Sequence, residues 1–282
     1  MSTIEPFIRW AGGKTWLLPH LPQIIGNTPI EHYHEPFLGG GAVFFSLEHN
    51  KTSYLSDANP ELINTYIQVR DNPEQVIDYF FTFQNTKDDY YRVRDHYQTQ
   101  SPAEEAARFI FLNQTSFNGL YRVNRQGKYN VPYGFRTHWT YSRDRIIQTS
   151  QKLQNANIIC GDFETNKSLI QKNDLVFLDP PYTVSHNHNG FIAYNQNLFS
   201  IEDQARLNNF INYIKDQGAY YILTNAAHEA IFQIFNKEED RTIELSRMSL
   251  IGGKRANRSK ITEYIFTNIK GGEFDGQQNQ MG

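Results

Sequence analysis

The segment Asp174–Tyr182, with the sequence DLVFLDPPY, restricts the fold of this chain strongly. Its apolar run is typical of a strand that is buried on both faces of a sheet. Two prolines follow at once, and because proline has no backbone N–H to donate, the strand is predicted to end there. A strand covered on both faces needs helices on both sides, and the segment therefore indicates an α/β fold.

The rest of the chain alternates between strand and helix patterns. Further strands are predicted at SYLSD, NIIC, AYYILTN, TIELSRMSLI and TEYIFTN. Helices are predicted at PELINTYIQV, SPAEEAARFIFLNQ and SIEDQARLNNFINYIKDQG. Ser101 and Glu104 have the spacing of a capping box, and Gly218 is predicted to end the last of these helices. The pattern predicts an α/β sheet that is interrupted by a mostly helical insertion over residues 61–141.

The insertion contains the aromatic segment FNGLYRVNRQGKYNVPYG, residues 117–134. Two runs of aromatic and β-branched residues flank Arg125, Gln126 and Gly127, and glycine is well suited to a turn. The segment is predicted to form a hairpin or an extended loop.

The stretch RWAGGKT near the N-terminus ends like a phosphate-binding P-loop. A P-loop requires a further glycine where this chain has Ile8, and it follows a buried strand. Only a few residues precede this stretch, so the pattern argues against an NTPase. Its glycines and Lys14 need another explanation.

Polar residues and glycines are predicted at the carboxyl ends of several strands, where open α/β sheets bind their ligands. PFLGGGAVFF has a glycine-rich turn between a strand and a helix, and Asp57 follows at the next strand end. An acid there can accept hydrogen bonds from ribose hydroxyls. A plain tight turn would explain the glycines alone, but together with Asp57 they favour a nucleoside-containing cofactor.

The DPPY sequence places a carboxylate, two prolines and an aromatic ring together after a buried strand. The Asp179 carboxylate and the Pro180 carbonyl are two acceptors that suit an NH2 group, and Tyr182 offers a flat face on which a base could stack. The alternative interpretation is a proline turn that only ends the strand.

The charge of the chain is unevenly distributed. The formal net charge is −3, but residues 106–145 contain seven basic residues against one acidic residue, and residues 247–260 contain five basic residues and no acidic one. Two basic segments on an acidic remainder favour a polyanion-binding face over an ordinary solvated charge pattern.

Several classes of protein are disfavoured by composition. The single cysteine, Cys160, excludes an internal disulfide framework and a cysteine-based zinc cluster. No run of about 18 apolar residues predicts a membrane span, and no signal-peptide pattern occurs at the N-terminus, so a cytoplasmic location is expected. The histidines of SHNHNG, residues 185–190, are expected to be solvated, and no metal site is predicted.

Seven motifs in this order resemble the Dam-type (α-group, D12 class) DNA adenine-N6 methyltransferases. They are RWAGGK, EPFLGGG, LSDANPELINTY, FNGLYRVNRQGKYNVPYG, GDF, DLVFLDPPY and FIAY. The resemblance implies a class I S-adenosylmethionine-dependent methyltransferase fold, Rossmann-like, with a mixed seven-stranded sheet. It implies a catalytic domain formed by residues 1–60 and 142–270, a DNA target-recognition domain at 61–141, and a tail at 271–282 that is expected to be disordered.

The resemblance also implies roles for individual residues. The catalytic set is Asp179, Pro180, Pro181 and Tyr182. The set expected at S-adenosyl-L-methionine, and at the product S-adenosyl-L-homocysteine, is Trp10, Ala11, Gly12, Lys14, Glu35, Pro36, Phe37, Gly39, Gly40, Gly41, Asp57, Asp162, Phe163 and Asp179. The set expected at double-stranded DNA is Arg9, Asn118, Leu120, Arg122, Asn124, Pro132, Lys254, Arg255 and Arg258.

The activity implied is methylation of N6 of a flipped adenine within a short duplex site, with GATC as the leading expectation. Such an enzyme is part of a restriction-modification system or is a solitary or phage methylase. A monomer without an obligatory protein partner is expected. Two alternatives stay open at this point. One is an RNA or protein amide methyltransferase with the same (D/N)PPY element, and the other is a DNA-binding regulator on an inactive methyltransferase fold.

Overall fold

A computed structural model describes residues 4–48, 51–135, 141–182, 199–248 and 260–271. Lys254, Arg255 and Arg258, the histidine-containing segment 185–190, the FIAY motif and residues 272–282 lie outside the described residues. In the described part of the chain, no helix is long and apolar enough to cross a membrane.

Seven strands form one sheet in the order β3-β2-β1-β4-β5-β7-β6. The strands are β1 (Tyr33–Glu35), β2 (Ser53–Asp57), β3 (Ala156–Cys160), β4 (Leu175–Leu178), β5 (Tyr220–Ala226), β6 (Arg241–Met248) and β7 (Lys260–Thr267). β2 is parallel to β3, and β4 is parallel to both β1 and β5. β7 is antiparallel to β5 and β6. The mixed seven-stranded sheet with its helices confirms the predicted fold class.

The helices of the described residues are spread along the whole chain. They are α1 (Leu21–Ile25), α2 (Ala42–Ser46), α3 (Pro60–Asp71), α4 (Pro73–Phe80), α5 (Lys87–Asp95), α6 (Pro102–Thr115), α7 (Arg143–Leu153), α8 (Ile201–Asp216) and α9 (Glu229–Phe235). Gly218, with φ of 73°, follows α8 as the sequence predicts. Glycine adopts this left-handed conformation without the steric cost of a Cβ.

The predicted capping box at α6 is only half formed. The Ser101 side chain accepts a hydrogen bond from the Glu104 N–H, as expected. The Glu104 carboxylate, however, accepts from the N–H of Gln100 and from the hydroxyl of Tyr97, one residue before and four before the N-cap. The complete capping box lies at α8, where Ser200 and Asp203 each accept from the backbone N–H of the other. Short-range spacing identified the cap residue, but the partner of Glu104 depends on the path of the preceding loop.

The chain divides by packing into two compact units, Met1–Thr15 with Glu35–Asn166, and Trp16–His34 with Lys167–Gly282. The predicted insertion lies within the first unit. There, α6 packs against α3, α4 and α5, and it is buried along most of its length. Phe7 contacts Tyr66 and Phe45 edge to face, which joins the N-terminal residues to the core of this unit.

The segment 117–134 is an extended loop rather than a regular hairpin. Two isolated antiparallel bridges, Ser116 to Tyr133 and Val123 to Tyr129, replace a continuous ladder. Gly127, at φ of 75°, forms the predicted turn. The Asn124 side chain accepts hydrogen bonds from the N–H groups of Gln126 and Lys128 around this turn. Backbone hydrogen bonds from the Asn124 N–H to the Lys128 carbonyl and from the Asn130 N–H to the Arg122 carbonyl hold the loop together with these side-chain contacts.

The second unit contains β4, β5, β6 and β7 with helices α8 and α9. Its apolar core includes Phe177, Phe210, Tyr221 and Phe266, all of them almost fully buried. At the start of β4, the buried Asp174 carboxylate accepts from the backbone N–H of His32 and Gln171 and lies 3.0 Å from a ring nitrogen of both His32 and His34. This carboxylate joins the segment that enters β1 to the segment that enters β4.

Candidate active site

The glycine-rich turn after β1 is held by Asp57 from the end of β2. One Asp57 oxygen accepts the Gly39 N–H at 2.9 Å, and the other accepts the Asn59 N–H at 2.9 Å. Burial raises the pKa of the Asp57 carboxyl, and the backbone hydrogen bonds oppose this without cancelling it. Asp57 thus fixes the conformation of the turn, in which Gly39 and Gly41 have φ of 46° and 65°.

The glycines of this turn are explained in part by the protein itself. A Cβ on Gly39 would lie 2.6 Å from Cδ1 of Trp10, and a Cβ on Gly41 would lie 3.0 Å from the hydroxyl of Tyr66. That hydroxyl donates to the Gly39 carbonyl at 3.0 Å. The sequence predicts glycine here so that a ligand can approach the backbone, but the Trp10 ring and Tyr66 make the close approaches that the structure describes.

The WAGGK segment forms a compact turn beside this region. Lys14 is buried, and its ammonium donates to the Gly12 carbonyl at 2.7 Å. Gly12 has φ of 83°, and the Gly13 N–H donates to the Trp10 carbonyl. The Trp10 ring stacks on Tyr121 with centroids 5.5 Å apart and planes 23° apart. Ala11 and Gly12 are exposed, so the tip of the turn can meet a ligand.

Aromatic rings and acids complete the predicted cofactor region of the first unit. Phe37 and Phe163 stack with centroids 5.4 Å apart and planes 24° apart. The buried Glu35 carboxylate accepts the Phe44 N–H at 3.1 Å, which fixes the first turn of α2 after Pro36. The Gly161 N–H donates to the Asp57 carbonyl, and Asp162 accepts the Glu164 N–H. The ends of β2 and β3 and the turn after β1 therefore meet.

The DPPY residues of the second unit are held by β5 and β7. The Asp179 carboxylate accepts the Thr224 hydroxyl at 2.8 Å. The Tyr182 hydroxyl donates to the Glu263 carboxylate. Both Thr224 and Glu263 are fully buried, whereas Tyr182 is half-buried and Pro181 is exposed. The carboxylate and the ring of DPPY thus have fixed partners on neighbouring strands.

The predicted DNA-facing residues of the first unit are brought together around Gly119. The Asn113 side chain accepts the Arg9 N–H at 2.9 Å and donates to the carbonyls of Arg9 at 2.7 Å and Gly119 at 3.3 Å. A Cβ on Gly119 would lie 2.8 Å from the Cβ of Arg9. Asn118 precedes it in the left-handed conformation, with φ of 56°. Arg9 and the start of the loop 117–134 are therefore adjacent.

The remaining DNA-facing candidates project from the same loop. Arg122 donates from Nε to the Asn130 side chain at 2.7 Å and from Nη2 to the Asn130 carbonyl at 3.2 Å. Asn118, Arg122, Asn124 and Pro132 are exposed, and Leu120 is half-buried. The described partner of Arg122 is an amide and not an acid, so the guanidinium keeps its charge uncompensated by that contact.

The family model described as D12 class N6 adenine-specific DNA methyltransferase matches residues 10–249. The chain belongs to this family. It is therefore an adenine-specific DNA methyltransferase, and the resemblance stated from the motifs is confirmed.

Relatives of this D12-class methyltransferase match it along most of their length. A type II methyltransferase from Lactococcus lactis subsp. cremoris is 37% identical, over 94% of this chain and 95% of the relative. A DNA adenine methylase from Haemophilus influenzae is 32% identical, over 93% of this chain and 92% of the relative. Among solved structures, a putative RNA methyltransferase from Pyrococcus horikoshii has a TM-score of 0.38 at 10% identity, over 92% of this chain and 84% of that one.

Sequence patterns missed several residues that hold the site of this D12-class methyltransferase. Thr224 and Glu263 contact the DPPY residues, and Tyr66 and Tyr121 contact the glycine turn and Trp10. Thr224 and Glu263 lie inside segments that were predicted as strands. Their polar side chains among apolar neighbours were the one signal in the sequence that could have drawn attention to them. In the described residues, no group of three or more His, Cys, Asp and Glu side chains could hold a metal ion.

Proposed function

We propose that this D12-class methyltransferase transfers the methyl group of S-adenosyl-L-methionine to N6 of an adenine that is turned out of a short DNA duplex. The main support is the Asp179 carboxylate, held by Thr224 directly after the buried strand β4 and followed by two prolines. A carboxylate fixed in this way can accept a hydrogen bond from an NH2 group without first having to be ordered.

The proposed chemistry depends on the geometry at the adenine nitrogen. The N6 amine is a poor nucleophile because its lone pair is delocalised into the ring. Hydrogen bonds to the Asp179 carboxylate and the Pro180 carbonyl draw that nitrogen towards tetrahedral geometry and stabilise the positive charge that develops on it. With the cofactor bound, its sulfonium would supply the methyl group in line with N6, and positioning would be the main contribution. One N6 proton would then leave to the Asp179 carboxylate that already accepts it, so that the product nitrogen is neutral. Neither a covalent intermediate nor a metal is needed.

The residues around the glycine turn have the chemistry that S-adenosylmethionine requires. Asp57 is an acceptor for ribose hydroxyls, and the stacked Phe37 and Phe163 offer an apolar wall. When bound, this cofactor supplies an activated methyl group on a sulfonium, and S-adenosyl-L-homocysteine is left as the product. The proposed cofactor set also includes Trp10, Ala11, Gly12, Lys14, Glu35, Pro36, Gly40, Gly41, Asp162 and Asp179.

We further propose that residues 61–141 act as the target-recognition domain, within the discontinuous catalytic domain of residues 1–60 and 142–270. Arg9 contacts the bases, together with the loop residues Asn118, Leu120, Arg122, Asn124 and Pro132. The cations Lys254, Arg255 and Arg258 contact phosphates. GATC is the leading candidate for the recognition site, in a restriction-modification system or a solitary or phage methylase. The enzyme is proposed to act in the cytoplasm as a monomer, without an obligatory protein partner.

Transfer of labelled methyl groups tests this proposal. The purified enzyme is incubated with radiolabelled S-adenosylmethionine and with duplexes that contain GATC or one-base variants of it, with RNA and protein as further acceptors. Labelled N6-methyladenine in the GATC duplex is expected, and label that enters only RNA or protein would refute the assignment. Sequencing of the modified bases in DNA from an expressing host gives the recognition site independently.

The Asp179→Ala variant is expected to lose methylation while it stays folded, because the fixed acceptor for N6 is removed. Preorganised groups of this kind contribute about 10²–10³-fold to the rate. The measurement is the single-turnover rate on the unmethylated duplex that the wild-type enzyme accepts. The thermal midpoint is the control for folding. A rate above about a tenth of the wild-type value would contradict the role given to Asp179.

A further inference from the structure

Three residues on two neighbouring strands face the same side of the sheet. β5 and β7 are antiparallel, and Ala226 lies opposite Glu263. Side chains that are directly opposite in an antiparallel pair point to the same face. Thr224 lies two residues before Ala226, so it shares that face as well. Asn225 points to the other face, where its side chain donates to Gln204 of α8.

Thr224 and Glu263 use this shared face to hold the two ends of the DPPY element. The Thr224 hydroxyl donates to Asp179, and the Tyr182 hydroxyl donates to Glu263. Asp179 and Tyr182 are only three residues apart, and the two prolines between them have fixed φ. The sheet thus fixes the carboxylate at one end of a stiff segment and the aromatic ring at the other.

The burial of Glu263 needs a reason. Its side chain is fully buried on a strand that also buries Ile265 and Phe266. A carboxylate in such a place has a large desolvation cost unless hydrogen-bond donors compensate it. A glutamate that served packing alone could be replaced by an apolar residue of the same size without this cost. The contact with Tyr182 gives the carboxylate a use that is specific to the DPPY element.

The hydroxyl contact determines which way the Tyr182 ring faces. A tyrosine side chain rotates about two torsions, and a half-buried ring without a tether could occupy several orientations. Anchoring the hydroxyl to a fixed carboxylate selects one orientation and leaves the ring face available. Stacking between a flipped base and an aromatic ring requires that the ring plane is already set before the base arrives.

We propose that Glu263 is a positioning residue for base capture: its carboxylate holds the Tyr182 ring in the orientation on which the flipped adenine stacks. This inference rests on the proposed function, since it assumes that Tyr182 stacks on the target adenine. Glu263 does not touch the substrate and acts only through the Tyr182 hydroxyl. Its removal therefore has no further effect on capture once that hydroxyl is absent.

A double-mutant cycle tests this dependence. The variants are Tyr182→Phe, Glu263→Met and the double variant, and the readouts are the single-turnover methylation rate and the fluorescence of 2-aminopurine placed at the target adenine. Each single variant is expected to slow methylation by about tenfold, the size of effect typical for a hydrogen bond to a charged group. The double variant is also expected to be about tenfold slower than the wild type, because both changes remove the same contact.

Two outcomes of the cycle would contradict the proposal. If the double variant is slower by about a hundredfold, so that the two effects add, Glu263 does not act through Tyr182 and the proposal is wrong. A rate that is unchanged in Glu263→Met also contradicts it. Glu263→Gln, which keeps an acceptor oxygen, is expected to recover most of the rate and of the 2-aminopurine signal. If Glu263→Met does not fold, Glu263→Ala, which also removes the acceptor, replaces it in the cycle and is expected to be non-additive too.

A second tyrosine–glutamate pair provides the matched control. Tyr97 donates its hydroxyl to the buried Glu104 at the start of α6, far in sequence from DPPY. Tyr97→Phe and Glu104→Met remove the same chemistry and are expected to lower the thermal midpoint without changing the 2-aminopurine signal. An equal loss of that signal in the control pair would show that general destabilisation, and not the orientation of Tyr182, causes the effect.

The outcomes separate this inference from the proposed function. If wild-type enzyme does not methylate adenine in any duplex, the proposed function fails, and the cycle has no rate to report. If wild-type enzyme methylates adenine and Asp179→Ala abolishes it, but the cycle is additive, only the role of Glu263 fails.

Discussion

Asp57 combines a structural contact and a predicted ligand contact in one side chain. Its carboxylate holds the Gly39 N–H and the Asn59 N–H, and it lies at the end of β2. Burial raises the pKa of Asp57 above the usual value for aspartate, in spite of these hydrogen bonds. The ionised form, which accepts hydrogen bonds, is therefore lost at a higher pH than in an exposed aspartate.

The Asp57→Ala variant is expected to weaken S-adenosylmethionine binding by about tenfold or more and to change DNA binding much less, because Asp57 is proposed to accept from the ribose. Calorimetry measures both affinities. In the wild type, cofactor affinity is expected to fall on acidification from a pH above about 4, the ordinary range of an aspartate. Asp57→Asn, which cannot ionise, is expected to lack this pH dependence. Unchanged cofactor affinity in Asp57→Ala would rule out the ribose contact.

Arg122 is predicted to read bases rather than to hold phosphates. Its guanidinium is oriented by two hydrogen bonds to Asn130 and lies exposed on the recognition loop. Arginine contacts guanine O6 and N7 in a bidentate manner, with about 1–3 kcal/mol of discrimination. Arg122→Ala is therefore expected to reduce the preference for the cognate site over one-base variants by about tenfold, and Arg9→Ala is expected to act in the same direction.

A salt titration of cognate and non-cognate duplex binding checks this. Replacement of Lys254, Arg255 or Arg258 is expected to weaken binding to all sequences alike. The slope of log affinity against log salt concentration is expected to become shallower by about one for each lost phosphate contact. Arg206, which is exposed on α8 and paired with Asp203, is the charge-matched control and is expected to change neither property. If Arg122→Ala lowers both affinities equally, Arg122 contacts phosphate.

At the scale of elements, the glycine turn and the loop 117–134 share a pair of aromatic rings. Trp10 lies against Gly39 on one side and stacks on Tyr121 on the other. The Tyr121 hydroxyl donates to Glu61 in the first turn of α3 at 2.6 Å. Asn113 of α6 joins the backbone of Arg9 to that of Gly119 beside this stack. Two segments that are more than a hundred residues apart in sequence are thus packed as one assembly.

Tyr121→Ala is expected to weaken cofactor binding by about two- to tenfold, because a stacked aromatic pair contributes about 0.5–1.5 kcal/mol beyond the area that it buries. Tyr121→Phe keeps the stack and loses only the bond to Glu61, so its cofactor affinity is expected to be close to the wild-type value. Calorimetric titration of the cofactor distinguishes the two variants. Equal affinity in Tyr121→Ala and wild type would show that the stack does not support the Trp10 turn.

At the scale of the whole molecule, Asp174 is a point on which stability is expected to depend. It is fully buried, and it lies at the start of β4, beside His32 and His34. Burial raises the pKa of Asp174, but hydrogen bonds from His34, the Gln171 N–H and His32 outweigh this and hold the pKa below the usual value. An aspartate whose pKa is lowered by folding stabilises the folded state above its unfolded pKa, and this contribution is lost as pH falls through the folded pKa.

Asp174→Asn is expected to lower the free energy of unfolding at pH 7 by about 2–3 kcal/mol, because a carboxylate that accepts several hydrogen bonds is replaced by a neutral amide. Urea denaturation of the wild type and the variant at several pH values measures this. The difference between them is expected to shrink below about pH 4, where the carboxyl of the unfolded chain begins to protonate while the folded carboxyl is still ionised. A difference that is the same at pH 7 and at pH 3 would show that ionisation of Asp174 is not the cause.

Local patterns in the sequence were sufficient for several of the elements and for the family. DLVFLD predicts the buried strand β4, Ser101 predicts the N-cap of α6, and Gly218 predicts the end of α8, because each signal depends on a few consecutive residues. The order of motifs from RWAGGK to DLVFLDPPY identified the D12 class, which the family model confirms. The roles of the individual cofactor and DNA residues stay predictions.

Tertiary structure alone decided which side chains hold those motifs. The partners of Asp179 and Tyr182 are 45 and 81 residues away, on β5 and β7. Their proximity depends on the strand order β4-β5-β7 and on the register that sets Ala226 opposite Glu263. In the same way, Gly39 needs to be glycine because Trp10 packs against it. Such contacts depend on how distant segments pack together. A periodic pattern carries information only about neighbouring residues, so the sequence patterns did not predict them.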